Sequence, residues 1–234
     1  MVFFLASLNE LLEISINVQK GIKGKIGELE EYFVQCKADV VAVQEAGLHA
    51  ASSKVVARGY QQFCHTQGDV CFFVARYLVP FVVPLKTPHA GQMWIKITAT
   101  GGDRPLYIGN VHMPQESDSV DVRTTAWEEL RQSTSEYAEL GEVAILGDLN
   151  ARPGTPRTGD ERDMLGNFGE HNGRTGNGKL LVDLLLDQGL TSLIGQEKPP
   201  SDEGRSTPFW YTRHDVASNV RHAIDDALVL SLIH

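Results

Sequence analysis

The sequence predicts an α/β fold in which apolar strands end in polar residues. Three observations support this prediction. Residues 12–43 give a strand, a helix and a second strand in succession, which is the pattern of a βαβ crossover. Residues 59–114 form a series of short strand-like segments separated by turns. Residues 143–146 form an apolar run that is typical of a strand buried on both faces.

The first βαβ unit is predicted from two kinds of periodicity. Residues 12–19 alternate between apolar and polar side chains, as a half-buried strand does. Residues 25–37 are expected to form an amphipathic helix, because apolar side chains recur there at helical spacing. These side chains are Ile26, Leu29, Phe33 and Cys36. Residues 39–43 then predict a second buried strand, which is closed by Gln44 and Glu45.

Further strands and two helices are predicted along the rest of the chain. Gly- and Pro-containing turns separate four expected strands, at 70–76, 78–84, 93–98 and 106–112. A helix over 121–140 has four large apolar residues, namely Trp127, Leu130, Tyr137 and Leu140. A second helix contains residues 180–185 and is expected to end at Gly189. Residues 209–211 and 223–230 predict the last two strands.

Composition and charge exclude several classes of protein. The formal net charge of −9 disfavours non-specific binding of nucleic acid, so contact with DNA or RNA needs local basic patches and metal ions. The three cysteines include no C-x-x-C pair, which argues against a disulfide framework and favours a reducing, intracellular compartment. No apolar run approaches the roughly 20 residues of a membrane span. Residues 2–6 are interpreted as a packed N-terminal extension.

The strongest candidate for a functional segment follows the apolar run 143–146. Gly147 permits a tight exit from the strand, and Asp148 and Asn150 come next. Because the two polar residues are two apart, their side chains point the same way if the chain is extended. They are then expected at the end of a strand, where open α/β sheets bind their ligands. The alternative is a structural role, because Asp and Asn are common where strands turn into loops.

Other polar residues stand at the ends of other predicted strands. Glu45 directly follows an apolar strand, where a carboxylate is costly unless it is paired or bound to a metal such as Mg²⁺. Asn17 ends its own strand and either shares that site or forms a turn. His112 precedes a strand-ending proline and is either structural or a group for phosphate contact and proton transfer. Asp225 interrupts the last apolar strand, which suggests that it orients a catalytic His or a hydrated metal.

A long polar segment, residues 152–174, separates the last two groups of elements. It lacks periodicity and is predicted to be a loop, and a loop of this length inside a domain is usually functional. Its arginines are either contacts for a phosphate backbone or part of a solvated loop; they are Arg152, Arg157, Arg162 and Arg174.

Taken in order, these polar strand ends resemble the endonuclease/exonuclease/phosphatase superfamily, which includes deoxyribonuclease I and the abasic-site endonucleases. The resemblance covers roughly residues 12–230 and rests on five segments: Ser15-Ile16-Asn17-Val18, Val43-Gln44-Glu45, Asn110-Val111-His112-Met113-Pro114, Gly147-Asp148-Leu149-Asn150-Ala151 and Ile224-Asp225. Within the superfamily, residues 105–111 and 172–181 are similar to the endonuclease domains of non-LTR (LINE-type) retrotransposons.

The resemblance implies a fold, a cofactor and a substrate. The fold is an α/β (α+β) four-layer sandwich, in which two packed mixed β-sheets are flanked by helices in a single domain over residues 1–234. The implied activity is phosphodiester hydrolysis of DNA that depends on Mg²⁺, with Mn²⁺ as an alternative. Glu45 is the implied metal ligand, and Asn17 supports the same site.

The resemblance also implies roles for four further residues. Asp148 orients or deprotonates the attacking water, and Asn150 holds the scissile phosphate. His112 contacts the phosphate or assists the leaving group. Asp225 is the carboxylate that orients a histidine on a later strand in this superfamily.

The C-terminal sequence departs from the superfamily pattern. The expected Ser/Asp-His pair is missing after Asp225, and His234 lies too near that residue in sequence to replace it. Either the chain is a piece of a longer protein or the last motif is lost. Three functions therefore stay open. The first is a nuclear DNA-nicking endonuclease, with a reverse-transcriptase domain in a longer parent chain. The others are a weakly catalytic domesticated binding domain and a phosphatase acting on a small phosphoester.

Overall fold

The computed structural model describes most of the chain, in separate ranges. These ranges are residues 2–8, 11–19, 21–48, 54–65, 69–87, 91–98, 104–166, 173–192, 213–215, 220–222 and 230–231. None of the helices within these ranges has the length and apolarity that crossing a bilayer requires.

The first sheet contains five strands from the N-terminal part of the chain. They are β1 (Val2–Leu8), β2 (Leu11–Asn17), β3 (Val40–Gln44), β4 (Tyr60–Cys64) and β5 (Cys71–Ala75), in the order β1-β2-β3-β5-β4. Among the described strands of this sheet, β2 and β3 pair in parallel and the other neighbours pair antiparallel. Helix α1 (Ile26–Cys36) makes the crossover between β2 and β3. The predicted βαβ unit is therefore confirmed, and its helix agrees with the predicted one to within a residue at each end.

The second sheet is built from the middle and C-terminal parts of the chain. The remaining strands are β6 (Val82–Leu85), β7 (Gln92–Ile97), β8 (Leu106–His112), β9 (Glu142–Asp148), β10 (Thr191–Ser192), β11 (Arg213–Asp215), β12 (Val220–His222) and β13 (Leu230–Ser231). The sheet has the order β10-β13-β9-β8-β7-β6, while β11 and β12 pair separately. Strands β8 and β9 are parallel, and helix α2 (Val120–Leu140) connects them. Two more helices follow, α3 (Gly159–Leu165) and α4 (Gly176–Gln188).

Three apolar clusters show that the protein has four layers. The cluster between the two sheets is formed by inward-facing side chains such as Ala42, Phe72, Ile108 and Leu146. A second cluster packs α1 against the outer face of the first sheet, and it includes Phe33. The third packs α2 and α4 against the outer face of the second sheet. The predicted sandwich of two mixed sheets flanked by helices is confirmed.

Two details differ from the sequence prediction. The segment predicted as a strand over 78–84 begins with a 3₁₀ turn, Val79–Phe81, and pairing starts only at Val82. The segment 152–174 is not a uniform loop, because it contains α3. Thr158 caps this helix by accepting a hydrogen bond from the backbone N–H of Glu161.

Candidate active site

The polar strand ends predicted from the sequence meet at one edge of the sandwich. The parallel strands β2 and β3 end together, with Asn17 opposite Gln44 in the register. The parallel strands β8 and β9 also end together, with His112 opposite Asp148. Because the two sheets pack face to face, the side chains at these four strand ends lie close to one another.

The centre of the site is the side-chain amide of Asn17. Its Nδ2 donates a hydrogen bond to Oε1 of Glu45 at 3.1 Å and another to Oδ2 of Asp148 at 2.8 Å. Its Oδ1 accepts a hydrogen bond from the backbone N–H of Gln19 at 2.9 Å, which fixes the orientation of the amide. One amide nitrogen thus holds together two carboxylates that belong to different sheets.

Asp148 lies in a strongly desolvated position. Its exposed fraction is only 4%, whereas Glu45 is half-buried and accessible from the surface. Burial raises the pKa of the Asp148 carboxyl above its usual value, and the negative charge of Glu45 adds to this increase. The nearby His112 and the hydrogen bond from Asn17 act in the opposite direction and lower that pKa. A buried carboxyl with opposing influences on its pKa is typical of catalytic sites.

Asn150 does not continue the extended segment that the prediction assumed. Its backbone φ is 46°, in the left-handed region that Asn tolerates better than most residues, so the chain turns immediately after the strand. The backbone N–H of Asn150 donates to Oδ1 of Asp148 at 3.0 Å, and its Nδ2 donates to the carbonyl of Met113 at 2.8 Å. The prediction of an extended segment at Asp148 and Asn150 was therefore wrong, although hydrogen bonds still connect the two residues.

Glu45 is also held in a left-handed conformation, with a φ of 52°. This conformation is unfavourable for a glutamate and persists only where surrounding contacts impose it. Here the chain around Glu45 is fixed on both sides. The carbonyl of Glu45 accepts from Gly21 N–H at 2.9 Å, and the N–H of Ala46 donates to the carbonyl of Asp69 at 2.8 Å.

Gly147 lies within β9 rather than in the turn that follows it, and close contact with β8 requires a glycine at this position. It pairs in register with Val111, and its φ is 142°. A Cβ atom on this residue would lie 2.0 Å from the carbonyl oxygen of Val111. The close approach of the two backbones sets the position of Asp148 relative to His112, which is half-buried at the end of β8.

A buried polar network joins the two sheets beneath the site. Gln44 donates through Nε2 to Oδ1 of Asn110 at 2.7 Å and to Oγ of Ser15 at 3.2 Å. Asn110 in turn donates to the backbone carbonyls of Val43 and Cys71, at 3.2 and 2.8 Å. All these polar groups are satisfied, so they fix the register of the sheets without the cost of unpaired buried groups. In the sequence, this network is visible only as one polar residue in each of three apolar strands. Sequence reasoning assigned these polar residues no structural role.

A second buried network supports the loop that contains Asn150. Asn177, at the start of α4, is fully buried and donates to the carbonyls of Pro114 and Asn150 at 2.8 and 3.0 Å. Its own N–H donates to Glu116 at 2.9 Å, and Arg123 donates to its Oδ1 at 3.3 Å. Sequence reasoning missed this role, because Asn177 follows the helix cap Thr175 in a segment of glycines that resembles a simple helix start.

The arginines of segment 152–174 are not equivalent. Arg174 donates two hydrogen bonds to the carboxylate of Glu161, at 3.0 and 2.6 Å, and a third to the carbonyl of Pro153. The side chains of Arg174 and Glu161 are only 8% and 9% exposed, and this hydrogen bonding lowers the pKa of Glu161. Arg174 therefore ties α3 to the loop and is not available to a phosphate backbone, whereas Arg157 and Arg162 are exposed.

The donor set of the site fits a hard divalent cation. Mg²⁺ in proteins is usually held by one or two carboxylates together with substrate phosphate and water, and the half-buried Glu45 offers such a carboxylate beside Asp148. Within the described ranges, no third His, Cys, Asp or Glu joins them to form a closed metal cage. Asp225 and His234 lie outside the described residues.

The sequence and the fold were compared with known proteins. A family model described as "Endonuclease/Exonuclease/phosphatase family" matches residues 14–229. No curated protein matches the sequence in a direct search.

Several solved structures share the fold at low sequence identity. One is the endonuclease domain of TRAS1, a telomere-specific non-LTR retrotransposon, with a TM-score of 0.58 and 14% identity over 94% of this chain and 83% of the other. Another is the AP endonuclease LMAP from Leishmania major, with a TM-score of 0.60 and 12% identity over 98% and 79%. A third is an AP endonuclease from Archaeoglobus fulgidus, with a TM-score of 0.53 and 12% identity over 99% of this chain and 86% of the other. By its family match and its fold, the chain belongs to the endonuclease/exonuclease/phosphatase family, whose members are hydrolases and include nucleases.

Proposed function

We propose that this protein is a Mg²⁺-dependent phosphodiesterase that nicks DNA, with an endonuclease domain of the kind found in non-LTR retrotransposons. The observation that carries the proposal is the joining of Glu45 and Asp148 by Asn17 at the ends of strands from both sheets. The fold similarity to a retrotransposon endonuclease and to AP endonucleases supports DNA as the substrate class.

Glu45 and Asp148 have different roles in this proposal because they differ in burial. Glu45 is half-buried and binds the metal from the surface side. Asn17 positions the Glu45 carboxylate through Nδ2, since its Oδ1 is already engaged with Gln19. When bound, Mg²⁺ supplies positive charge that offsets the charge developing on the phosphate.

Asp148 orients the attacking water and accepts its proton. Burial raises its pKa towards the working pH, which favours a carboxylate as a general base. The hydrogen bonds from Asn17 and from the N–H of Asn150 hold its two oxygens in fixed directions, so that the carboxylate cannot rotate away from the water.

Asn150 and His112 serve the phosphate. The Asn150 amide nitrogen has two N–H groups and uses one on Met113, which leaves the second for a phosphate oxygen. His112 lies opposite Asp148 in the register and contacts the phosphate or protonates the leaving oxygen. Asp225, which lies outside the described residues, would orient a histidine or a hydrated metal, and the family resemblance supports this role.

A plasmid-nicking assay tests this function. Supercoiled plasmid is incubated with Mg²⁺ and with wild-type protein, Glu45→Gln, Asp148→Asn or the control Glu31→Gln, which changes an exposed residue of α1. We expect wild type and Glu31→Gln to nick equally, and both site variants to lose at least about 100-fold in rate.

Three outcomes would contradict the proposal or a part of it. Nicking that persists in both site variants would place the activity elsewhere. Intact plasmid together with release of inorganic phosphate from small phosphoesters would assign a phosphatase instead. Chelation of the divalent metal is expected to abolish nicking, and activity in excess chelator would contradict the role of Mg²⁺.

A further inference from the structure

Two cysteines face each other across the hairpin formed by β4 and β5. Cys64 is in register with Cys71, and six residues separate them. The N–H of His65 donates to the carbonyl of Val70, and the N–H of Arg76 donates to that of Gly59, so both pairs are hydrogen-bonded pairs of the antiparallel ladder. Because such pairs alternate with non-hydrogen-bonded ones, Cys64 and Cys71 form a non-hydrogen-bonded pair, in which side chains lie closest together.

The two thiols differ in environment. Cys64 is half-buried, whereas Cys71 is fully buried against the outer face of the first sheet. Nε2 of Gln62 donates a hydrogen bond to Sγ of Cys64 at 2.6 Å. The hydrogen bond from the Cys71 thiol, together with that from Gln62, lowers the pKa of Cys64 although burial opposes this change. The pKa of Cys71 is raised well above its usual value by the same hydrogen bond and by burial.

We propose that Cys64 and Cys71 form a dithiol site that hydroperoxides oxidise to an intramolecular disulfide. Its position on the β4–β5 hairpin makes it separate from the phosphodiesterase site, with which it shares no side chain. The proposal therefore goes beyond the proposed function, and it stands or fails independently of it.

The chemistry assigns one role to each sulfur. The Cys64 thiolate attacks the distal oxygen of the hydroperoxide, the O–O bond breaks, and the departing alkoxide or hydroxide takes a proton, which leaves a sulfenic acid on Cys64. The Cys71 sulfur then attacks the Cys64 sulfur, the S–O bond breaks, and the thiol proton leaves with the hydroxyl group as water. Two thiols and one hydroperoxide thus give one disulfide, one water and one alcohol or second water.

The hairpin is compatible with the product. Disulfides need Cα atoms about 4.4–6.8 Å apart, and non-hydrogen-bonded pairs of antiparallel strands place them about 4.5 Å apart. The half-exposed Cys64 has the lower pKa and is the nucleophile, and the buried Cys71 is the resolving thiol. This division of roles is typical of redox-sensitive cysteine pairs.

Peptide mapping tests the proposal with an internal control. Reduced protein is treated with one equivalent of hydrogen peroxide, alkylated and digested with trypsin. The tryptic peptide 59–76 contains both Cys64 and Cys71, while the peptide 26–37 contains only Cys36, which is half-buried like Cys64. We expect peptide 59–76 to be recovered unlabelled and lighter by two hydrogen atoms, as an internal disulfide requires. This form should appear at least about tenfold faster than Cys36 is oxidised.

Single variants separate the two roles. Cys71→Ala is expected to stop at a sulfenic acid on Cys64, which dimedone traps, and Cys64→Ser is expected to leave Cys71 unreacted. The wild-type map needs no variant, so a misfolded Cys71→Ala does not weaken the test. Equal oxidation of Cys36 and Cys64, or a disulfide that links two chains, would overturn the proposal.

Discussion

The amide nitrogen of Asn17 lies 2.8 Å from Oδ2 of Asp148, although the two residues are 131 positions apart in the chain. This contact joins β2 of the first sheet to β9 of the second at the edge where the parallel pairs end. The same nitrogen contacts Glu45, so the two carboxylates of the proposed metal and water sites share one donor. The relative position of the sheets therefore determines the geometry of the site.

Asn17→Ala is expected to weaken catalysis through Asp148. The hydrogen bond from Asn17 lowers the pKa of Asp148, so its loss raises that pKa, and a general base must be deprotonated to act. The acidic limb of the pH–rate profile for nicking should shift to higher pH. Hydrogen bonds to charged groups contribute about 1.5–3 kcal/mol, which corresponds to a loss of roughly 10- to 100-fold in rate near neutral pH. An unchanged acidic limb would contradict this role of Asn17.

The sequence predicted which polar side chains meet at the strand ends better than it predicted their detailed geometry. Asn17, Glu45 and Asp148 follow apolar strands, and the parallel pairing of those strands brings their ends together, so strand-end polarity was sufficient to predict that these side chains meet. The turn at Asn150 was not predictable from alternation, because the left-handed φ of this residue depends on its contacts with Asp148 and Met113.

Asn177→Ala tests the second support of the site. Removing this amide leaves the carbonyls of Pro114 and Asn150 without their buried donor. We expect a loss of about 1–3 kcal/mol in the free energy of unfolding, measured with urea, and slower nicking because Asn150 is less well positioned. The exposed Lys179 on the same helix provides the control variant Lys179→Ala. Unaltered nicking by a folded Asn177→Ala protein would rule out the positioning role.

Gly147→Ala is expected to be strongly destabilising. The new methyl group would overlap the carbonyl of Val111, and the φ of 142° is unfavourable for alanine. The loss should reach at least about 3 kcal/mol in urea unfolding. Gly159→Ala is the matched control, because no heavy atom lies within 4 Å of its added Cβ. Similar unfolding midpoints for the two variants would show that β8 and β9 approach less closely than described.

Glu13 makes stability depend on pH. It is fully buried on β2, neither oxygen has a hydrogen-bond partner among the described residues, and burial raises its pKa to about 8. The folded protein favours the protonated form of Glu13. The contribution of this residue to the free energy of unfolding is therefore fully present below the unfolded pKa near 4.5 and is lost as the pH rises through about 8.

Glu13→Gln removes this titration. The difference in the free energy of unfolding between the variant and wild type should change by roughly 3–5 kcal/mol in favour of the variant from pH 5 to pH 9. Denaturant unfolding at each pH measures this difference. The nearby Asp39 adds to the pKa shift, so Asp39→Asn is expected to reduce the pH dependence in part. A constant difference between Glu13→Gln and wild type across this range would contradict a buried neutral carboxyl.

The parts that sequence reasoning missed are those that depend on long-range packing. The role of Asn177 follows from carbonyls that lie 63 and 27 residues away, and no local pattern reports them. Arg174 had the same sequence context as its neighbouring arginines, yet its contact with Glu161 removes it from the candidates for phosphate binding. Helix α3, which supplies Glu161, is too short for apolar periodicity to reveal it.

The most direct test of the central claim is the location of a bound divalent ion. Crystals grown with Mn²⁺ give anomalous scattering that identifies the ion independently of its ligands. We predict a single strong peak at the edge where β2, β3 and β9 end, with a carboxylate oxygen of Glu45 as a ligand at about 2.0–2.3 Å, and its disappearance in Glu45→Gln. A peak bound elsewhere, or one that persists unchanged in Glu45→Gln, would contradict the account.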